Sequence, residues 1–222
     1  MLIAVTVSGL PASGVSASRK ADVALARKAL IVKSDFPKGW TTSPNGGSAG
    51  NNLGASQIAT CLGLPPAVVK YNAPEADSPT FNFNSLGQSV DDSVDVFPNP
   101  KIAMQQFNIY GSPESAICVA KAANTPSVKA IFERGFGGGA KIGTIVVDAL
   151  PRTVAGNESA ALEFRLPFTY KGEHLLFVSL IVVIMSTSKS EGAQMTISYL
   201  AQSPIATTLI QHLESVTIER LG

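Results

Sequence analysis

Charge is scarce in this chain. Only 15% of the 222 residues are charged, and 17 basic against 16 acidic side chains leave a formal net charge of +1. No strong field of either sign gathers nucleic acid, anionic lipid or an acidic substrate. Aromatic residues make up 7% of the chain, and they do not interleave with basic residues as single-strand nucleic-acid binding requires. The two histidines, His174 and His212, and the two cysteines, Cys61 and Cys118, do not supply the clustered ligands of a zinc site. No metal or other cofactor is expected. The longest apolar run, Leu175 to Met185, has eleven residues, where a membrane-spanning helix needs about 20. Rich in Val and Ile and flanked by alternating segments, it reads as a core strand.

What the chain does have is a strong strand pattern. Leu162, Phe164, Leu166, Phe168 and Tyr170 alternate with Glu163, Arg165, Pro167 and Thr169, a period of two that puts the apolar side chains on one face. Lys171-Gly172-Glu173 follows as a tight turn. Leu175 to Met185 is apolar on both parities, as in a strand covered on both faces. After the polar loop Ser186 to Gly192, Met195, Ile197 and Tyr199 alternate again. This is a three-stranded antiparallel meander with its best-buried strand in the middle. Pro167 predicts an edge position for the first strand.

Upstream, Ala21 to Val32 is compatible with a short helix, closed by Asp35-Phe36-Pro37-Lys38-Gly39-Trp40. The single tryptophan, Trp40, beside a turn, is expected to plug the core. Ser43 to Ser56 is rich in Gly, Asn and Ser and reads as a loop. Gln57 to Leu62 predicts one or two helical turns, and Tyr71 to Ser78 is irregular. Thr80 to Asn84 and Ser89 to Phe97 predict strands; in the second, Val90, Val94 and Val96 share a parity that Asp92 interrupts. Pro98 to Tyr110 predicts a helix. A second begins at Ser112-Pro113-Glu114, with a capping hydroxyl, Pro at the first helical position and an acid in the first turn. Val128 to Phe132 continues helically, Gly135 to Gly139 is a hinge, and Ile142 to Leu150 is a strand. Ser203-Pro204 is expected to cap a last helix with Ile205, Leu209, Ile210, Leu213, Val216 and Thr217 on one face. The order of elements predicts an α+β fold, a central antiparallel sheet flanked by helices. With 45% hydrophobic residues, residues 21–222 can form one domain behind a tail, 1–20.

Several motifs fit a chemistry in letters but not in context. Gly46-Gly47-Ser48-Ala49-Gly50 matches a nucleophile elbow, which needs a strand before it and a helix after it; neither is predicted. Gly135-Phe136-Gly137-Gly138-Gly139-Ala140 matches a dinucleotide fingerprint, yet it follows a helix and opens a strand, the reverse order. Asp91 and Asp92 are neighbours on a strand, so they point to opposite faces and cannot share a substrate proton. His212 falls outside the apolar helix face. Asn157-Glu158-Ser159 fits a glycosylation acceptor, relevant only in a eukaryotic secretory route.

Met1 to Ala17 has a short apolar run, a Gly-Leu-Pro break and small residues ending at Val15-Ser16-Ala17. It resembles the second half of a secretory signal peptide without its basic start, and export is preferred here to a disordered or strand-like tail. No cysteine follows the run, so no lipid anchor is expected. In a reducing compartment Cys61 and Cys118 would be ordinary buried thiols, and in an oxidising one a bridge.

The stretches Asp35 to Thr41, Cys61-Leu62-Gly63, Ser78-Pro79-Thr80-Phe81, Ser93 to Phe97, and Cys118 resemble secreted proteins and lipoproteins of actinobacteria that are similar to the PsbP-like sandwich. The resemblance covers roughly residues 30 to 125 by motif. It implies a sheet with helices on both faces, a turn with a buried Trp40, and Cys61 and Cys118 as a pair. It carries no catalytic residue. The function it implies is a secreted, non-catalytic binding or accessory protein of the cell envelope, its partner an envelope protein or an apolar small ligand. A groove between sheet and helices, or under the loops Ser43–Ser56 and Ser186–Gly192, is expected to hold the ligand. The rival is a serine hydrolase using Ser48 or another loop serine with His174 or His212.

Overall fold

The computed structural model describes residues 12–44, 55–65, 73–83, 87–136, 139–150, 158–186 and 190–221. Ser48, with the whole Gly46–Gly50 motif, lies outside them, as do Met1 to Pro11 and Asn157. Helix α1 (Ala12–Ala29) runs without a break through residue 20, where the sequence suggested a boundary. A 3-10 turn (Lys33–Asp35) and the short strand β1 (Thr41–Ser43) follow. Next come α2 (Ala55–Cys61), β2 (Glu75–Asp77), β3 (Thr80–Phe83) and β4 (Gln88–Val96). Three helices come next, α3 (Pro100–Gly111), α4 (Pro113–Ala123) and α5 (Pro126–Gly135). The rest is β5 (Lys141–Ile142), β6 (Val146–Leu150), β7 (Glu158–Tyr170), β8 (Glu173–Met185), β9 (Glu191–Leu200) and α6 (Thr207–Leu221).

The fold is α+β. Among the described residues nine strands join one antiparallel sheet, ordered β1-β3-β4-β9-β8-β7-β5, with β2 also on β4 and β6 also on β7. The expected meander is β7-β8-β9, with β8 between its partners along its whole length. Lys171 and Gly172 turn the first hairpin with φ of 50° and 85°, the left-handed pair that a two-residue turn between twisted strands demands.

Alternation then sorts the side chains. Val90 and Val94 of β4, Leu180, Val182 and Ile184 of β8, and Met195 and Ile197 of β9 pack with α1 and α6 on one face. Leu162 and Leu166 of β7 meet α2, α4 and β6 on the other. On that second face Val183 and Met185 also pack beneath Phe107 of α3. Cys61 of α2 and Cys118 of α4 form a disulfide, with Cα atoms 5.6 Å apart. It fastens a seven-residue helix, too short to persist alone, onto the second layer. Among the described residues no helix is long and apolar enough to cross a membrane.

Several local expectations change, and Thr41–Ser43, where no strand is predicted, is strand β1. Glu75–Asp77, read as irregular, is strand β2, held by its pairing with Asp95 to Ser93. The predicted strand Ile142 to Leu150 is two strands, interrupted at Gly143. Gly143 N–H donates to Pro167 O at 2.8 Å, and a Cβ on Gly143 would sit 3.1 Å from the Pro167 ring. That interruption is also why β7 is internal despite Pro167: the residue without an N–H lies opposite the gap between β5 and β6, where no ladder bond is needed. The last helix starts at Thr207 rather than at Ser203-Pro204, because Ser203 and Pro204 accept hydrogen bonds from Gln88 instead.

Candidate functional site

Two features stand out: an apolar groove beside β3 and a row of carboxylates on the opposite face of the sheet. The groove begins with the turn after α1. Gly39 takes a φ of +100°, and a Cβ there would lie 2.9 Å from the Phe83 ring. Only glycine lets the turn lie against β3. The result is a ladder of rings. Phe36 stacks on Phe81 with centroids 4.3 Å apart and lies 4.9 Å from Trp40, which stacks on Phe83 at 5.5 Å. Trp40 is 5% exposed, so it both closes the core and walls the groove.

The opposite wall is Pro204, Ile205 and the first turns of α6, with Thr208, Leu209 and His212. The volume between the walls is about 680 Å³. Both walls are braced. Gln88 Nε2 donates to Ser203 O, Ser203 Oγ and Pro204 O at 2.9, 3.1 and 3.1 Å, tying β4 to the loop before α6. Arg220 of α6 donates from Nη1 and Nη2 to the two carboxylate oxygens of Asp35 at 2.8 and 2.9 Å, and from Nη1 to Leu30 O at 2.6 Å. This bidentate clamp, shielded at both ends, is the geometry in which a guanidinium–carboxylate pair is most specific.

The carboxylate row lies on the other face. Asp91 and Asp95 of β4 point there with Ser89 and Ser93, and β2 adds Glu75 and Asp77 opposite Asp95 and Ser93. Burial pushes Asp91 up to about 6, and the charge of Asp77 adds to it. Burial likewise pushes Asp95 up to about 7, with Glu75 and then Asp77 as repelling neighbours. Glu75 is raised by burial, by the Asp77 charge and by a hydrogen bond to Asp77. Tyr110 is raised by burial and then by Asp95. Burial and mutual repulsion favour the protonated forms of Glu75, Asp91 and Asp95. Among the described residues no three His, Cys, Asp or Glu side chains are grouped to hold a metal ion.

The residues singled out from the sequence are not brought together. His174 sits at the exposed β7–β8 hairpin, its Nδ1 3.0 Å from Thr169 Oγ1. His212 is exposed on α6 and lines the groove. Asp91 and Asp92 do face opposite sides: Asp92 is 1% exposed in the α1–α6 core. Sequence reasoning missed Phe36, Phe83, Leu209 and Gln88 as groove residues. The period-two spacing of Asp91 and Asp95 was a readable signal for the acidic row. No protein-family model matches the chain, and no curated protein is significantly similar to it in sequence.

Proposed function

We propose that this chain is a non-catalytic binding or accessory module of an actinobacterial cell envelope, working outside the cytoplasm, and that it holds a small apolar ligand in the groove beside Trp40. The observation that carries the reading is the Phe36–Trp40–Phe83 ring ladder facing Ile205 and Leu209 across about 680 Å³. Small-molecule sites are commonly preformed apolar clefts of several hundred Å³ with a few polar groups. Bracing by Gln88 and Arg220 means that little ordering is left to be lost when a ligand enters. The Cys61–Cys118 bridge favours an oxidising compartment, and the likeness to PsbP-like envelope proteins points the same way.

The test is a titration with the neutral fluorescent probe N-phenyl-1-naphthylamine, read by probe emission and by transfer from Trp40. Saturable binding is expected, weakened at least tenfold by Leu209→Gln and unaffected by Ile117→Gln, which removes an exposed apolar side chain on α4. Equal binding by both variants would mean that the probe sits elsewhere, and the groove reading would fail.

A further inference from the structure

The polar rim of the groove indicates what kind of apolar molecule it takes. Three ionisable side chains line it: Asp35, Lys38 and His212. Asp35 is already neutralised by the two-point Arg220 clamp, and its Oδ2 also accepts from Val32 N–H at 2.7 Å. Lys38 is different. It is exposed at the tip of the turn and has no ion-pair partner among the described residues. His212 lines the opposite wall from α6. The first turn of α6, which contributes Thr208 to that wall, carries no acidic residue, so the positive end of this helix is uncompensated by charge on its own element. The Gln88 amide nitrogen is committed to Ser203 and Pro204. The rim therefore offers a cation and donors but no free anion, above an interior of rings and aliphatic side chains.

We infer that the ligand is an anionic amphiphile, an aliphatic chain or ring ending in a carboxylate, with its apolar part against Phe36, Trp40, Phe83 and Leu209 and its carboxylate between Lys38 and His212. This rests on the groove being the binding site. An exposed cation attracts weakly in water and is screened by salt, so the charge sets preference while the apolar wall sets most of the affinity.

The experiment compares monomeric decanoate with 1-decanol by displacement of N-phenyl-1-naphthylamine, at low and high salt, in the native protein and in Lys38→Glu. Decanoate is expected to bind about three- to fivefold tighter than decanol at low salt. The ratio should fall towards one at high salt and below one in Lys38→Glu. Equal binding of the two in the native protein would overturn the anion preference and leave the groove reading intact. Displacement by neither would overturn both. Recruitment to phosphatidylglycerol vesicles without saturable decanoate binding would overturn the inference in favour of a membrane surface.

Discussion

Replacing Asp92 by Asn should make the protein more stable at neutral pH. Asp92 interrupts the Val90–Val94 row of β4 and is 1% exposed beneath α1. Its Oδ2 accepts from Ile31 N–H at 3.2 Å, while its Oδ1 has no hydrogen-bond partner among the described residues. Burial pushes the carboxyl up to about 7; hydrogen bonds from Ser78 and Ile31 pull it down, Asp91 pushes it up, and Arg220 pulls it down. In the unfolded chain an aspartate titrates near about 3.9. Between about pH 4 and pH 7 the native state therefore binds more protons than the unfolded state, and stability falls as pH rises. Three pH units at about 1.4 kcal/mol each set a ceiling of about 4 kcal/mol for this loss. Asn keeps an oxygen for Ile31 N–H and carries no charge to desolvate, so the loss disappears. Urea unfolding of both proteins at pH 4.5 and 7.5 measures it. The two should differ by about 1 kcal/mol or less at the acid pH, with Asn ahead by about 2–4 kcal/mol at the higher one. Asp91 and Asp95, raised in the same direction, leave a residual slope common to both proteins. A variant less stable than the native protein at pH 7.5 would refute the reasoning, since it would mean that ionised Asp92 is stabilised by Arg220.

Cys118→Ser should cost roughly 4 kcal/mol, the chain-entropy value for a bridge across 57 positions, and the folded native protein should show no free thiol until reduced. Gly39→Ala should lower stability by at least about 1 kcal/mol and weaken probe binding, since its φ is left-handed and the added methyl meets Phe83; unchanged binding would remove the turn from the site. A fluorophosphonate probe should leave every serine unlabelled, because His174 is held by Thr169 at an exposed hairpin and His212 lies on α6; one labelled serine would revive the hydrolase.

The meander was legible because Leu162 to Tyr170 of β7 and Met195 to Tyr199 of β9 alternate in sequence and β8 is apolar on both parities, as a covered sheet requires. Asn99 and Ser112 cap α3 and α4 by accepting from Ile102 N–H and Ser115 N–H, local chemistry that a sequence displays directly. β1 and β2 were illegible for the opposite reason. Thr41–Ser43 and Glu75–Asp77 have no strand pattern of their own and exist through pairing with β3 and β4. The split of β5 from β6 depends on Pro167 arriving from a distant strand. The start of α6 depends on Gln88 reaching Ser203. The candidate site suffered most from such long-range dependence. Trp40 and its turn announced themselves, but Phe83 and Leu209 join them only through the sheet edge and the last helix.

The most direct test of the central claim is to map 1-decanol on the 15N-labelled protein by chemical-shift perturbation. Saturable shifts concentrated at Phe36, Lys38, the Trp40 indole, Phe83, Thr208 and Leu209 are the predicted result. Shifts centred on Asp91, Asp95 and Tyr110, or spread over the surface without saturation, would contradict a ligand groove beside Trp40.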